Sequence, residues 1–127
     1  QEKLLASMAK QFVLVGDETK LVDTFDVKYP LVIEMLPQSM SFVSFTIDKL
    51  FPGVKTSMRM GDKKDGPVVT ENGNYLLDIY FEIWPSLPGI NQSLKSITGV
   101  VETSLFYGLA CKAIIAGENG VMLLERN

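Results

Sequence analysis

Histidine is absent from the 127-residue sequence, and cysteine and tryptophan occur once each. Without histidine the chain lacks both the usual zinc ligand and the side chain whose ordinary pKa suits proton transfer near neutrality. The lone Cys111 has no second thiol with which to close an intramolecular disulfide, a usage expected of a cytoplasmic chain. There is no basic excess either: twelve Lys and Arg stand against fifteen Asp and Glu, for a formal net charge of -3. Non-specific nucleic-acid binding, which needs clustered cations facing phosphates, is therefore not expected. Every apolar run falls short of the roughly 18 residues that a membrane helix requires, and the opening QEKLLASMAK lacks the apolar centre of a secretory signal. A glycine-rich phosphate loop is missing too. These absences point to a soluble, cytoplasmic chain that binds neither nucleic acid nor membrane and holds no metal.

What is present is core-forming material. Hydrophobic residues make up 46% of the chain, and a chain of this length buries roughly two-thirds of its unfolded surface. That composition excludes disorder for most of the sequence. The chain enters a helical pattern directly at Gln1, without a cap or an initiator methionine, which suggests that the N-terminal part of a longer protein precedes it.

Periodicity divides the sequence into two styles. Leu4, Leu5, Met8 and Ala9 share one side of a short helix, and Phe12, Val13, Leu14 and Val15 form an unbroken apolar run ending at Gly16. Such a run is the pattern of a strand covered on both faces of a parallel sheet. The polar stretch GDETKLVDTFDVKYP follows and reads as a domain boundary. From 31 the style changes. A strand over 31–36 precedes Pro37, which suits the first turn of a helix, and Met40, Val43, Ile47 and Leu50 recur at helical spacing until Pro52-Gly53. Strands are expected over 54–60, 68–71 and 75–81, the last two joined as a hairpin through Asn72-Gly73, with a second helix over 91–97 closed by Gly99. Strand, helix, strand, strand, helix is the order of a split βαβ, ferredoxin-like unit. Buried strands return at Val100-Val101, 113–116 and 121–124. The expected fold is thus α/β: part of a Rossmann-like, mostly parallel sheet domain, 1–29 and 99–127, with an inserted α+β unit, 30–98.

Ligands of such sheets bind outside the carboxyl edge of the strands. A helix of about ten residues rises about 15 Å, and a strand of about five residues returns about 16 Å. Glu2 at the helix start and Asp17, Glu18 and Lys20 just past the strand are then expected at one level. A carboxylate there can remove a carbon-bound proton, and an ammonium can hold a phosphate or a developing oxyanion. The same residues also suit plainer roles, with Glu2 an exposed acid at a helix start and Lys20 a solvated loop charge. The band Lys55, Arg59, Lys63 and Lys64, set beside Asp62 and Asp65, reads as a solvated strand edge. Cys111, with no histidine to activate it, reads as an inert thiol. Asp17 with Glu18 does not make a cation's coordination sphere, and Trp84 with Tyr80 and Phe81 reads as packing.

Three separated stretches carry a more specific signal: QEKLLASMAKQFVLVGDETKLVD, GPVVTENGNYLLDIYF, and PGINQSLKSITGVVETSLFYG with IIAGENGVMLLER. In order and spacing the sequence resembles ribose-5-phosphate isomerase of the A type over essentially its whole length. The resemblance implies an aldose-ketose isomerisation of D-ribose 5-phosphate and D-ribulose 5-phosphate through an enediol, in the non-oxidative pentose phosphate pathway, without cofactor or metal. It places the catalytic base on Glu2 of QEK and a substrate-binding lysine on Lys20 of DETK, with Asp17 at the rim. It also implies a homodimer or homotetramer. Gln1 stands where the family has arginine, and Thr103-Ser104 stands where His-Gly is often seen. The family's phosphate-binding segments precede the position of Glu2, so these residues alone are expected to be inactive. The alternative reading is a non-catalytic phosphosugar-sensing domain of a transcription regulator, which can dispense with the base.

Overall fold

A computed structural model describes residues 1–126. Its elements run α1 (Glu2–Met8), β1 (Val13–Asp17), β2 (Leu31–Met35), α2 (Met40–Leu50), β3 (Lys55–Met58), β4 (Tyr75–Tyr80), α3 (Leu87–Lys95), β5 (Val100–Thr103), β6 (Lys112–Gly117) and β7 (Gly120–Glu125). They separate into two units, one of Asp26–Leu105 and one of Gln1–Phe25 with the described residues from Phe106 onward.

In the unit of residues 26–105, alternation sets the core. Leu31, Ile33 and Met35 of β2 point to one face with Leu77 and Ile79 of β4, and all five are buried. Val43 and Ile47 of α2, with Ile90 and Leu94 of α3, complete the same cluster. The sheet order is β3-β4-β2-β5, antiparallel throughout, which is the interlocked split βαβ arrangement. Pro37 lies in a single 3-10 turn, Pro37–Ser39, that leads into α2, and Gly53 takes a φ of 86° just after that helix. The helix expected over 91–97 instead starts at Leu87. Pro88 sits in its first turn, where a missing N–H costs no hydrogen bond.

The hairpin expected between 68–71 and 75–81 forms its turn but not its ladder. Gly73 takes a φ of 78° and its N–H donates to Thr70 O at 2.9 Å. Beyond the turn only the isolated bridge Val69↔Tyr75 joins the two segments. The reason lies in β4, whose two edges are already occupied by β2 and β3. The 67–74 segment is held by Val68 N–H donating to Arg59 O at 2.8 Å, by the isolated bridge Met60↔Pro67, and by side chains. Thr70 Oγ1 donates to Glu34 Oε1 at 2.8 Å, and Asn74 Nδ2 donates to the same oxygen at 2.9 Å. Asn74 is buried, so Glu34→Ala strips a buried amide of its acceptor and is expected to cost about 1–3 kcal/mol. A urea midpoint equal to the parent's at unchanged slope rules this out.

Strand β5 corrects another expectation. Rather than opening the return to the first unit, it pairs antiparallel with β2, with a bulge between Glu34 and Met35. Ser104 extends the join: its N–H donates to Val32 O at 2.8 Å, and Val32 N–H donates to Ser104 Oγ at 3.0 Å. The unit therefore runs to Leu105, past the expected limit at 98, and starts at Asp26, ahead of 30.

In the other unit the sheet order is β1-β6-β7. Strands β1 and β6 are parallel from Val13↔Lys112 to Asp17↔Ala116, and β7 turns back antiparallel beside β6. Phe106 links the early segments: the Lys3 ammonium lies 5.4 Å from its ring centroid and the Phe12 ring 6.0 Å. Burial departs from the sequence reading here. Val15 is 76% and Val121 72% exposed, while Ala6 and Ile115 are the buried apolar residues of this unit. Within the unit, a three-stranded sheet and one seven-residue helix do not supply enough side chains to cover two sheet faces. Among the described residues, no helix is long and apolar enough to cross a membrane.

Candidate functional site

Parallel pairing brings the carboxyl ends of β1 and β6 to one edge, with Asp17 level with Ala116. Beyond it the chain makes a 3-10 turn, Glu18–Lys20, and Asp17 is the residue that organises this turn. Its Oδ1 accepts from Thr19 N–H at 2.9 Å and from Thr19 Oγ1. Leu21 N–H donates to Glu18 O at 3.2 Å and closes the turn. An aspartate that accepts from the residue two positions on is a common turn starter. The carboxyl of Asp17 is consequently held below its ordinary value of 3.8, by the Thr19 hydroxyl first, then the Thr19 amide, with the Lys20 charge adding to both.

The sign of that shift sets a pH window. A carboxyl whose folded pKa is depressed contributes stability above its unfolded value near 3.8, and loses it as pH falls through the lower folded value. Thr19→Val removes the hydroxyl donor. The Asp17 side-chain carbon, followed by NMR, is expected to titrate closer to 3.8 in the variant than in the parent. An unmoved titration excludes the hydroxyl as the cause.

Lys20 is the last residue of this turn and is exposed. Its aliphatic stem passes over Gly16, with Lys20 Cβ 3.7 Å from where a Gly16 Cβ would stand. Glu2 is the first residue of α1 and is also exposed. Both belong to the same unit. No hydrogen bond or ion pair joins Glu2 to Lys20 among the described residues. The helix is also shorter than the ten residues used to match their levels: seven residues rise about 10 Å, against about 16 Å for the strand.

A cavity of about 290 Å³ opens at the same edge, lined by Glu18, Leu21 and Ile115 and by the β6–β7 turn at Gly117, Asn119 and Gly120. One feature of this rim escaped the sequence reading. The Glu18 carboxylate lies in the space that a side chain at Gly117 would occupy. The visible signal was a glycine at the end of an apolar strand, one residue ahead of the turn Glu118-Asn119-Gly120.

The other sequence candidates are engaged elsewhere. Arg59 grips Asp78 with two nitrogens, Nη2 to Oδ1 at 2.8 Å and Nε to Oδ2 at 3.3 Å. Lys63 and Lys64 are exposed. Trp84 packs on Phe81 with ring centroids 5.4 Å apart. Cys111 Sγ donates to Phe12 O at 3.3 Å. Among the described residues, no three His, Cys, Asp or Glu side chains converge so as to hold a metal ion.

Comparison with known proteins adds an independent line. The family model of ribose 5-phosphate isomerase A (phosphoriboisomerase A) matches residues 1–120. A ribose-5-phosphate isomerase A from Thermosynechococcus vestitus is 39% identical over 118 residues, covering 93% of this chain and 49% of the relative. One from Prochlorococcus marinus is 37% identical over 128 residues, covering 99% of this chain and 53% of the relative. The chain thus spans about half the length of the curated relatives it matches. Among solved structures, ribose 5-phosphate isomerase A from Methanocaldococcus jannaschii superposes with a TM-score of 0.87 at 31% identity, over 98% of this chain and 54% of that one. A D-ribose-5-phosphate isomerase in complex with phospho-erythronic acid gives a TM-score of 0.87 at 36% identity, over 98% of this chain and 54% of that one.

Proposed function

Since this chain belongs to the ribose 5-phosphate isomerase A family, we propose that it carries the base and one substrate-binding cation of an enzyme that interconverts D-ribose 5-phosphate and D-ribulose 5-phosphate. In this reading Glu2 removes the C2 proton of the open-chain aldose. The electron pair moves to the carbonyl as an enediolate forms, and Glu2 returns the proton to C1 while a proton passes from O2 to O1. Atoms and electrons balance without an oxidant or reductant. Lys20 holds the phosphosugar and offsets charge growing on oxygen, where a fixed ammonium contributes most to the transition state. Asp17 keeps the turn that presents Lys20 in shape.

The observation that carries the proposal is the presence of the QEK and DETK segments within one unit, both inside the span that the family model matches. A relative's bound phospho-erythronic acid supports it. A carboxylate on a phosphorylated four-carbon chain presents the charge distribution of a phosphorylated enediolate. The reading brings with it a small phosphosugar partner, a cytoplasmic location and a homo-oligomer.

The test is proton exchange in heavy water, followed by NMR with ribose 5-phosphate and the longest natural polypeptide that contains this chain. Ribulose 5-phosphate carrying solvent deuterium at C1 is the expected product. Tight binding of the sugar phosphate with neither exchange nor ketose overturns the proposal and favours the sensor reading.

A further inference from the structure

Helix α2 buries Val43 and Ile47 in the core of its unit. At about 100° per residue, Phe42, Phe45 and Lys49 fall roughly on the opposite side, where an amphipathic helix is normally polar. Phe42 and Phe45 are 54% and 57% exposed there. The Lys49 ammonium lies 4.5 Å from the Phe45 ring centroid and lays its stem along the same stripe. Two solvent-facing phenylalanines one turn apart, on a helix whose core face is already filled, mark a contact surface.

The charges of the helix point to what covers it. Asp48 and Lys49 are its charged residues, and both lie in its last turn. A second α2 laid parallel sets each of them against its own copy, like charge facing like charge. Laid antiparallel about a two-fold axis midway between Phe42 and Phe45, it sets each Phe42 on the second copy's Phe45. Asp48 and Lys49 then face Ser39 and Gln38, polar and uncharged. The same alignment carries the second copy's Leu36–Pro37 turn to the C-terminal end of α2. A cavity of about 370 Å³ opens at that end, lined by Leu50, Phe51, Pro52, Phe81 and Ile83 among others, and Leu36 is exposed. A stable pair needs about 800 Å² from each copy, more than two phenylalanines supply, and these ends extend the contact beyond the stripe. The two-fold axis makes every one of these contacts twice.

We propose that the outer face of α2 is a contact surface for a second copy of this chain, packed antiparallel with Phe42 against Phe45. The inference rests on the reading of the chain as part of a homo-oligomer, and on none of its catalytic chemistry. Phe42→Glu and Phe45→Lys each put an unpaired charge into the contact, and each is expected to weaken self-association at least about tenfold. Both introduce good helix formers at exposed positions, so folding is expected to be kept. Mixed one to one, the two variants are expected to associate with each other. The antiparallel register sets the new carboxylate of one on the new ammonium of the other and leaves the second aromatic pair intact.

The experiment is sedimentation equilibrium over a concentration series, with the longest natural polypeptide containing the chain and with thermal unfolding of each variant. The expected result is a parent heavier than one chain, each variant alone lighter than the parent, and a one-to-one mixture heavier than either variant. A monomeric parent overturns both the surface and the homo-oligomer reading. Variants that keep the parent's mass overturn the surface alone, and the stripe then belongs to another segment of the polypeptide or the copies meet elsewhere. A mixture no heavier than its components overturns the antiparallel pairing. An inactive parent that assembles as stated leaves the surface standing and removes the catalytic reading.

Discussion

On the proposed reading, Glu2→Gln in the longest natural polypeptide that contains this chain is expected to lower ribose 5-phosphate turnover by about 10²- to 10⁴-fold, the usual contribution of a positioned general base. The substitution conserves shape and removes the group proposed to accept a proton from carbon. Binding of the sugar phosphate is therefore expected to persist, so the loss falls on kcat and not on KM. The check is kcat for ketose formation, paired with calorimetric titration of the sugar phosphate on the variant. A near-parent kcat removes Glu2 from the mechanism, and Lys20 with the neighbouring rim then needs another proton acceptor. Loss of binding together with rate marks Glu2 as a recognition group instead. Its exposed position at the first residue of α1, with no ion pair to Lys20, leaves the carboxylate open to a substrate.

The second large effect concerns folding. Ile33 is fully buried in β2, a strand with neighbours on both edges, under both helices of its unit. Ile33→Ala is expected to destabilise that unit by about 2–5 kcal/mol, the combined cost of lost burial and a residual cavity. The contrasting position is Val15 in β1, which the sequence presents as an equally good core residue. At 76% exposure, Val15→Ser is expected to shift stability by no more than about 0.5 kcal/mol. Guanidinium titrations of the two variants decide the matter. Comparable losses at both positions mean that Val15 is covered in solution, and a small loss at Ile33 means that the described core is wrong.

That pair of positions also shows where sequence reading succeeds and where it stops. The strand expected over 31–36 forms as β2, and because a strand's side chains point to opposite faces, Leu31, Ile33 and Met35 lie on the one against the helices. The spacing of Met40, Val43, Ile47 and Leu50 finds α2 for the corresponding reason. An unbroken apolar run such as 12–15 says only that the strand is suited to being covered. Whether anything covers it depends on elements placed by the rest of the fold, and in this unit β1 and β7 stand largely open.

Pairing partners show the same divide. Asn72-Gly73 correctly announces a tight turn, since positive φ is a local property. It does not announce the ladder, because β2 and β3 compete for the edges of β4 and occupy both. The Glu34 acceptor for Thr70 and Asn74 lies 36 and 40 residues from its donors, and no local pattern links them.

At the candidate site, the stretch read from the sequence as a polar boundary begins with a turn, which is local because Asp17 and Thr19 are two positions apart and bond each other. The resemblance then assigns roles to Glu2 and Lys20. The approach of the Glu18 carboxylate to Gly117 was not readable, because the two residues come from opposite ends of the sequence and meet only after β1 and β6 pair. Element type, turn chemistry and the family's motif residues are short-range information written in neighbouring side chains. Strand partners and the coverage of apolar faces come from contacts between distant segments, which exist only once the backbone has closed its hydrogen bonds and each strand edge has found its partner.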